Sequence, residues 1–260
     1  MVLYDRIGVG YDTTRRADPG IARQLIELLG VPTDGACLDV ACGTGNYTTA
    51  LAGAGLRMHG VEISPTMLDA AREKSRDVRW VNADATAIPF RDGTFQGALV
   101  TLALHHFREP AAVFREVARV LQEGARFVVF TGAREQMRRY WLNAYLPDAM
   151  EKSIRQMPSM EAAIVSMLAA GFGRVTAVPF TVTPELQDFF LYAGKYRPAL
   201  YLDPRVRAGI STFANLADPT EVERGCARLA DDLASGRFDE VLRAAEHDGG
   251  DYLFLVAERR

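Results

Sequence analysis

Cysteine is scarce in this chain. Cys37, Cys42 and Cys226 are the three in 260 residues, and their spacing matches neither a zinc ligand set nor an even disulfide framework. Reduced thiols are expected, with no structural metal. An excess of positive charge is also missing: 30 Lys and Arg against 33 Asp and Glu give a net charge of −3. That balance argues against the broad basic surface that tight phosphate-backbone binding needs, so nucleic acid is not the expected partner. No apolar run approaches the roughly 20 residues of a membrane span. The start, Met1-Val-Leu-Tyr-Asp-Arg6, lacks the charged-then-apolar order of a signal peptide. A cytoplasmic protein is expected, as a monomer or homodimer. No internal repeat or low-complexity segment occurs. What the chain does have is apolar content, 48% of its residues, ample for one generous α/β domain or a core with an insertion.

The stretch from Ala36 to Tyr47 organises the rest. Leu38 to Ala41 is a short apolar run with one acidic side chain, Asp39, and reads as a buried strand. A helix follows at Thr48 to Gly53. Between them Gly43 and Gly45 supply a tight turn without side chains, where a ligand can approach backbone N–H groups at a helix N-terminus. A second strand, Leu56 to Ile63, places Glu62 17 residues after Gly45. In a doubly wound sheet an acidic residue there lies beside the ribose of a nucleotide held by the first turn.

The dinucleotide fingerprint wants a third glycine where this chain has Thr48. An acidic residue inside the strand followed by Ala41-Cys-Gly43-Thr-Gly45 instead resembles motif I of the class I S-adenosylmethionine-dependent methyltransferases, in their type 11 small-molecule branch. The departure is Ala41, where the family's first glycine stands. The resemblance extends in order over residues 33 to 132, through Glu62, the strand exit at Asp84 and Ala85, and the fourth strand ending near Thr101. It implies a Rossmann-like, doubly wound, seven-stranded sheet whose last strand is antiparallel. It also implies S-adenosylmethionine as cofactor, S-adenosylhomocysteine as product, and contacts from Tyr11, Asp39, Ala41, Gly43, Gly45, Asn46, Glu62, Ile63, Asp84, Ala85 and Thr101. In the family's small-molecule enzymes a segment like Tyr4 to Tyr11 folds over the cofactor.

Strand and helix patterns alternate as a parallel sheet requires. Asp18-Pro19 opens a helix that Gly30 stops, and Ser64-Pro65 opens another. A helix is expected over 109–123, closed by Gly124, then strands at 126–131, 174–182 and 251–257. About 65 residues separate the last two, far more than a hairpin loop holds. Residues 184–250 therefore read as a helical cap inserted into a core of residues 1–183 and 251–260, with helices at 219–235 and 238–247.

Methyl transfer from a sulfonium needs chiefly placement and exclusion of water. Where the acceptor is a hydroxyl or an acidic carbon, a base helps, and His105 and His106, just past the fourth strand, are the candidates. Aromatic residues Tyr4, Tyr140, Trp141, Phe189, Tyr192 and Tyr196 are the candidate acceptor lining, set against the alternative that they are core. The Asn/Asp-Pro-Pro-Tyr/Phe motif of amino-nucleobase enzymes is absent from Thr101 to Leu104, which leaves a small, partly apolar or aromatic acceptor with an O, N or C nucleophile. Two other readings stay open: an NAD-type oxidoreductase, and a non-catalytic protein that binds S-adenosylmethionine.

Overall fold

A computed structural model describes residues 11–260. After a 3₁₀ turn at Tyr11–Thr13, helix α1 spans Pro19–Leu29. Asp18 caps it by accepting from the Gly20 and Ile21 amides at 2.9 and 3.0 Å, and Gly30 ends it at φ 63°. Strand β1 (Ala36–Val40), helix α2 (Asn46–Gly53), β2 (Arg57–Glu62), α3 (Pro65–Lys74), β3 (Arg79–Asn82) and β4 (Phe95–Thr101) follow. Then come α4 (Pro110–Val120), β5 (Leu121–Thr131), α5 (Arg134–Arg139), α6 (Pro147–Gln156), α7 (Met160–Ala169) and β6 (Phe172–Phe180). The inserted segment carries α8 (Pro204–Ala208), a π-helical turn at Thr212–Leu216, α9 (Pro219–Ser235) and α10 (Phe238–Ala244), and β7 (Tyr252–Arg259) ends the fold.

The seven strands lie in the order β3-β2-β1-β4-β5-β7-β6. The first five pair in parallel, and β7 runs antiparallel to both β5 and β6. This is the sheet the sequence predicts. Boundaries shift by a few residues, with β6 at Phe172–Phe180 and α10 ending at Ala244, and at one of them α4 stops at Val120 instead of reaching Glu123. Leu121 is already extended at φ −83° and ψ 143°, and Gly124 at φ 75° lies within the stretch where the β4–β5 register shifts. The left-handed glycine serves an irregular strand entry there, not a helix end. No helix among the described residues is long and apolar enough to cross a membrane.

Both faces of the sheet are covered. On one, Val113, Phe114 and Val117 of α4 and Met167 of α7 bury Val40, Val100 and Phe127. On the other, Ile21, Leu25 and Leu29 of α1 join a cluster that runs without a break into the inserted segment, through Phe130, Phe254, Tyr192, Tyr201 and Phe238. The insertion also packs on residues 134–157. Tyr140 Oη meets Tyr201 Oη at 2.6 Å, and Tyr145 Oη donates to Asp232 at 2.9 Å. Leu146, at the N-cap of α6, has no side chain able to take the orphan amides of that helix. Glu221 of α9 takes them instead, accepting from Asp148 N at 2.8 Å and from Ala149 N at 3.1 Å, while only 6% exposed.

Candidate active site

Glycine and alanine backbone geometry shapes the turn after β1. Ala41 (φ 57°) and Gly43 (φ 56°) both occupy the left-handed region, which an L side chain adopts only at a cost. A Cβ on Gly43 would meet nothing nearer than Met67 Cε at 3.7 Å, so the turn faces open space. The Gly43 N–H donates to Glu62 Oε2 at 3.0 Å, and Ser64 N donates to Glu62 Oε1 at 2.9 Å. Two backbone donors thus fix the carboxylate at the end of β2, with lone pairs left over for a ligand. Asn82 shapes the same corner by donating to the Glu62 and Ile63 carbonyls at 2.9 and 3.0 Å. Ile63 itself is 47% exposed, an apolar side chain turned into the opening.

These groups sit at the carboxyl ends of the parallel strands, around the switch point between β1 and β4 where α/β sheets bind ligands. A cavity of about 860 Å³ opens there, within the range of small-molecule sites. Its floor is Ala41 to Thr44, Asn46, Glu62 and Ile63. Asp84, Ala85 and Thr86 close one side. Asp84 Oδ1 accepts from the Thr86 amide and hydroxyl, both at 2.8 Å, leaving Oδ2 for another donor. Thr101, Leu102, His105 and His106 close the other side. Leu102 holds φ 54° at the end of β4, strained backbone at the cavity wall.

A recess of about 80 Å³ adjoins this cavity and shares Arg15, Leu102, His105 and Ser211 with it. His105 and His106 belong to a 3₁₀ turn, Leu104–His106, with ring centroids 3.8 Å apart. Burial lowers His105 to about 4, helped by the charge of Arg15, and lowers His106 to about 3, helped by His105. Both rings are neutral at pH 7, and His105 stands where the two cavities meet.

Two cofactor candidates lie elsewhere. Asp39 is 1% exposed behind the turn and is not in the cavity wall. It accepts from Thr48 Oγ1 at 2.7 Å, and its Oδ1 has no hydrogen-bond partner among the described residues. Desolvation pushes its carboxyl up to about 7, against the Thr48 hydrogen bond and with a contribution from the nearby Glu62. Thr48, at the third-glycine position, is thereby committed to β1. Gly45 (φ 73°) also lies off the wall, and a Cβ there would come within 2.3 Å of the Trp80 ring. It is glycine because α2 must start against Trp80.

The aromatic candidates are core or surface. Tyr140 and Tyr192 stack at 3.8 Å between centroids, and Trp141 packs edge-on against Phe238 at 5.0 Å. Phe189 lies under the Arg197 guanidinium at 5.2 Å, and Tyr196 is 44% exposed beside Lys195. None of these five lines either cavity. Tyr4 lies outside the described residues, and Tyr11 opens the 3₁₀ turn. The aromatic rings that do reach the recess are Phe190 and Tyr252.

Sequence reasoning missed Arg15 and Asp188. Arg15 Nε donates to Asp188 Oδ1 at 2.5 Å, and Tyr47 Oη of α2 donates to Asp188 Oδ2 at 3.1 Å. Both members of the pair line the large cavity. The arm is fastened at its other end as well. Asp12 Oδ1 accepts from Thr44 Oγ1 at 2.7 Å and from Lys74 Nζ at 2.7 Å, while Asn46 Nδ2 donates to the Arg15 carbonyl at 3.1 Å. Arginines ahead of a predicted helix were visible in the sequence, but no spacing rule pairs them with a carboxylate so far along the chain.

The comparisons agree with this geometry. A family profile described as "Methyltransferase domain" matches residues 38–129. Demethylmenaquinone methyltransferase of Mycolicibacterium vanbaalenii is 31% identical over 171 residues, 63% of this chain and 71% of that protein. The protein of the same name from Renibacterium salmoninarum is 30% identical over 49% of this chain, and the match spans 56% of its own length. A solved structure from Anabaena variabilis, described as a methyltransferase of an antibiotic biosynthesis pathway, is 33% identical with a TM-score of 0.83. It covers 94% of this chain and 98% of its own. A left-handed turn after β1, a fixed carboxylate after β2 and relatives of this likeness lead to one conclusion: the chain belongs to the class I S-adenosylmethionine-dependent methyltransferases.

Proposed function

We propose that this protein methylates a hydroxylated or enolisable ring seated across the junction of the two cavities, with His105 taking the acceptor's proton. The observation that carries the reading is that His105 lines both the large cavity and the recess. The floor of the large cavity suits the cofactor. Glu62, already held by two amides, accepts from a ribose diol; Ile63 covers an adenine face; Asp84 Oδ2 takes the adenine amine; and the Gly43-Thr44 backbone leaves room for the amino-acid end. Ala41, Asn46, Ala85 and Thr101 complete that wall. The acceptor ring reaches from the junction into the recess, whose sides include Met137, Met157, Phe190, Leu191 and Ile210.

Bound S-adenosylmethionine would supply a methyl group activated on its sulfonium, which would leave as a neutral thioether as the acceptor's oxygen or carbon takes the methyl. The protein's part is to align the ring, exclude water and accept one proton at His105. His105 is unprotonated at pH 7, the state from which a base acts, but its lowered value makes it a weak base, so the role rests on its place at the junction of the two cavities. A ring acceptor is supported by relatives named demethylmenaquinone methyltransferase and 2-phytyl-1,4-naphtoquinone methyltransferase, the latter 28% identical over 79% of its length.

The test is formation of S-adenosylhomocysteine and a methylated product from a panel of ring phenols and quinols. His105→Asn should lower kcat by about 10²- to 10⁴-fold, while His106→Asn lowers it less. A panel without methylated product, or an unimpaired His105→Asn enzyme, counts against the reading.

A further inference from the structure

Tyr252, the first residue of β7, lines the recess with its ring packed against three others. Its centroid lies 5.4 Å from that of Phe130, 4.8 Å from Phe190 and 4.9 Å from Tyr192, and its carbonyl accepts from Gln136 Nε2 at 2.9 Å. The residue is 5% exposed. Its hydroxyl nevertheless makes no hydrogen bond among the described residues. The fully enclosed side-chain polar atoms without a partner there are Thr14 Oγ1, Asp39 Oδ1, His59 Nδ1 and Tyr192 Oη. Tyr252 Oη is not one of them, so it keeps accessible surface, and the open space that Tyr252 lines is the recess. Burial holds the phenol well above its ordinary pKa, which keeps the proton in place and makes the group a donor at pH 7.

The other polar side chains of the recess are engaged or shared with the large cavity. Arg15 is bound to Asp188, Thr131 Oγ1 donates to the Gly132 carbonyl at 3.4 Å, Ser153 and Thr212 meet each other at 3.0 Å, and Ser211 and His105 belong to both spaces. Gly132 marks the corner beside Tyr252. Its backbone is not left-handed, and a Cβ there would lie 3.4 Å from Tyr252 Cε1 and 3.8 Å from Met137 Cγ, contacts that an alanine would make without strain. Neither backbone nor packing asks for glycine at this position. What its missing side chain leaves open is a strip of the recess between Tyr252 and Met137.

Resting on the reading that the acceptor reaches into this recess, we propose that Tyr252 contacts the acceptor, its hydroxyl donating a hydrogen bond to an acceptor oxygen or nitrogen in the space that Gly132 leaves open. The bond fixes how the acceptor is turned toward the cofactor cavity. A strand at the centre of a packed sheet is a stiff mount for such a group, and a ring locked by its neighbours holds the hydroxyl in place. Because the hydroxyl serves no bond of the fold, its contribution is made only with the acceptor bound. That separates it from a structural tyrosine.

The experiment takes 1,4-dihydroxynaphthalene as probe and compares the wild type with Tyr252→Phe and Gly132→Ala, each as the whole chain. Turnover gives kcat and KM, calorimetry gives the S-adenosylhomocysteine dissociation constant, and thermal unfolding gives stability. Tyr252→Phe should raise KM about 3- to 10-fold, the worth of one hydrogen bond. Its S-adenosylhomocysteine constant should not change, since Tyr252 is absent from the lining of the large cavity, and its melting temperature should be unchanged or higher, since no bond within the protein is lost. Gly132→Ala should raise KM as well, by filling the strip, and also leave the S-adenosylhomocysteine constant alone. An unchanged KM in Tyr252→Phe overturns the proposal, and so does a raised KM that comes with a lowered melting temperature, the mark of a structural hydroxyl. An unchanged KM in a folded Gly132→Ala overturns the placing of the acceptor beside Tyr252; if that variant does not fold, Tyr252→Phe decides alone. If the probe binds the S-adenosylhomocysteine-loaded protein without being methylated, its dissociation constant takes the place of KM. If the wild type neither methylates nor binds it, the ring-acceptor reading itself fails and takes this proposal with it.

Discussion

Arg15 and Asp188, 173 residues apart in sequence, form an ion pair of 2.5 Å in which the two side chains are 13% and 2% exposed. The pair joins the N-terminal arm to the insertion, and Tyr47 adds α2 to the same carboxylate. Two further bonds follow the seam: Phe189 N donates to the Thr14 carbonyl at 3.1 Å, and Gln187 N donates to Asp18 Oδ2 at 2.9 Å.

Removing one member of a buried pair strands the other. Asp188→Leu or Arg15→Met alone should cost about 3 to 5 kcal/mol of stability, and the double variant Arg15→Met/Asp188→Leu much less than the sum. Both single variants should also weaken S-adenosylhomocysteine binding if it occupies the large cavity as proposed, since the pair lines that cavity. Urea denaturation of the four proteins measures the coupling. Additive losses would mean that the arm and the insertion are held together by other contacts.

Glu62→Ala is expected to weaken S-adenosylhomocysteine binding by about 1.5 to 3 kcal/mol. Because the Gly43 and Ser64 amides also lose their acceptor, fold stability should fall with it by about 1 to 3 kcal/mol. Glu62→Gln, which keeps one acceptor oxygen, should fall between. Calorimetry and thermal unfolding on the same samples separate the two effects, and an unchanged dissociation constant would make Glu62 a purely structural residue.

Ala41 stands at φ 57° where glycine is at ease. Ala41→Gly relieves left-handed strain of about 1 to 2 kcal/mol but gives back about 0.4 to 1 kcal/mol through the freer unfolded chain. A net gain of about 0.5 to 1 kcal/mol is expected, read as a higher denaturation midpoint at constant slope. A lower midpoint would show that the Ala41 methyl makes packing contacts worth more than the strain.

His105 and His106 are held neutral, at about 4 and about 3 against an ordinary 6.5. A depressed folded-state value means that the unfolded chain binds protons first, so their contribution to stability is present above pH 6.5 and is lost as pH falls toward 4. Asp39, pushed up to about 7, works in the opposite sense over pH 3.8 to 7, so the test is a comparison of variants. His106→Asn should flatten the loss of melting temperature between pH 6.5 and 4.5 relative to the wild type. Parallel curves would mean that the ring is protonated without penalty.

The sheet was legible because each strand is a short apolar run bounded by glycine, proline or a capping residue, and because the acidic strand end at Glu62 falls at a fixed distance from the Gly43 turn. The acceptor site was not. Tyr140, Trp141 and Tyr192 are aromatic residues of the kind that packing buries, and burial is the same for a ring in the core and a ring on a cavity wall. Gly45 was read as room for a ligand, whereas the space is taken by Trp80, a contact made across the sheet edge. Arg15 and Asp188 gave no signal because an ion pair closed by tertiary structure leaves no spacing in sequence. Leu102 could not be read as a left-handed residue, since leucine carries no preference for that conformation.

The uninterrupted apolar cluster between α1, the sheet face and the insertion bears on how acceptor range can be changed in this scaffold. An insertion with a core of its own is exchangeable between relatives as a module. Here Tyr192, Tyr201 and Phe238 share their packing with Phe130 and Phe254 of the sheet, so grafting a foreign insertion would leave the host face badly filled. On the proposed reading, acceptor choice in this chain is changed by single substitutions at positions such as Ser153 and Ser211, which line the recess and stand outside that apolar cluster.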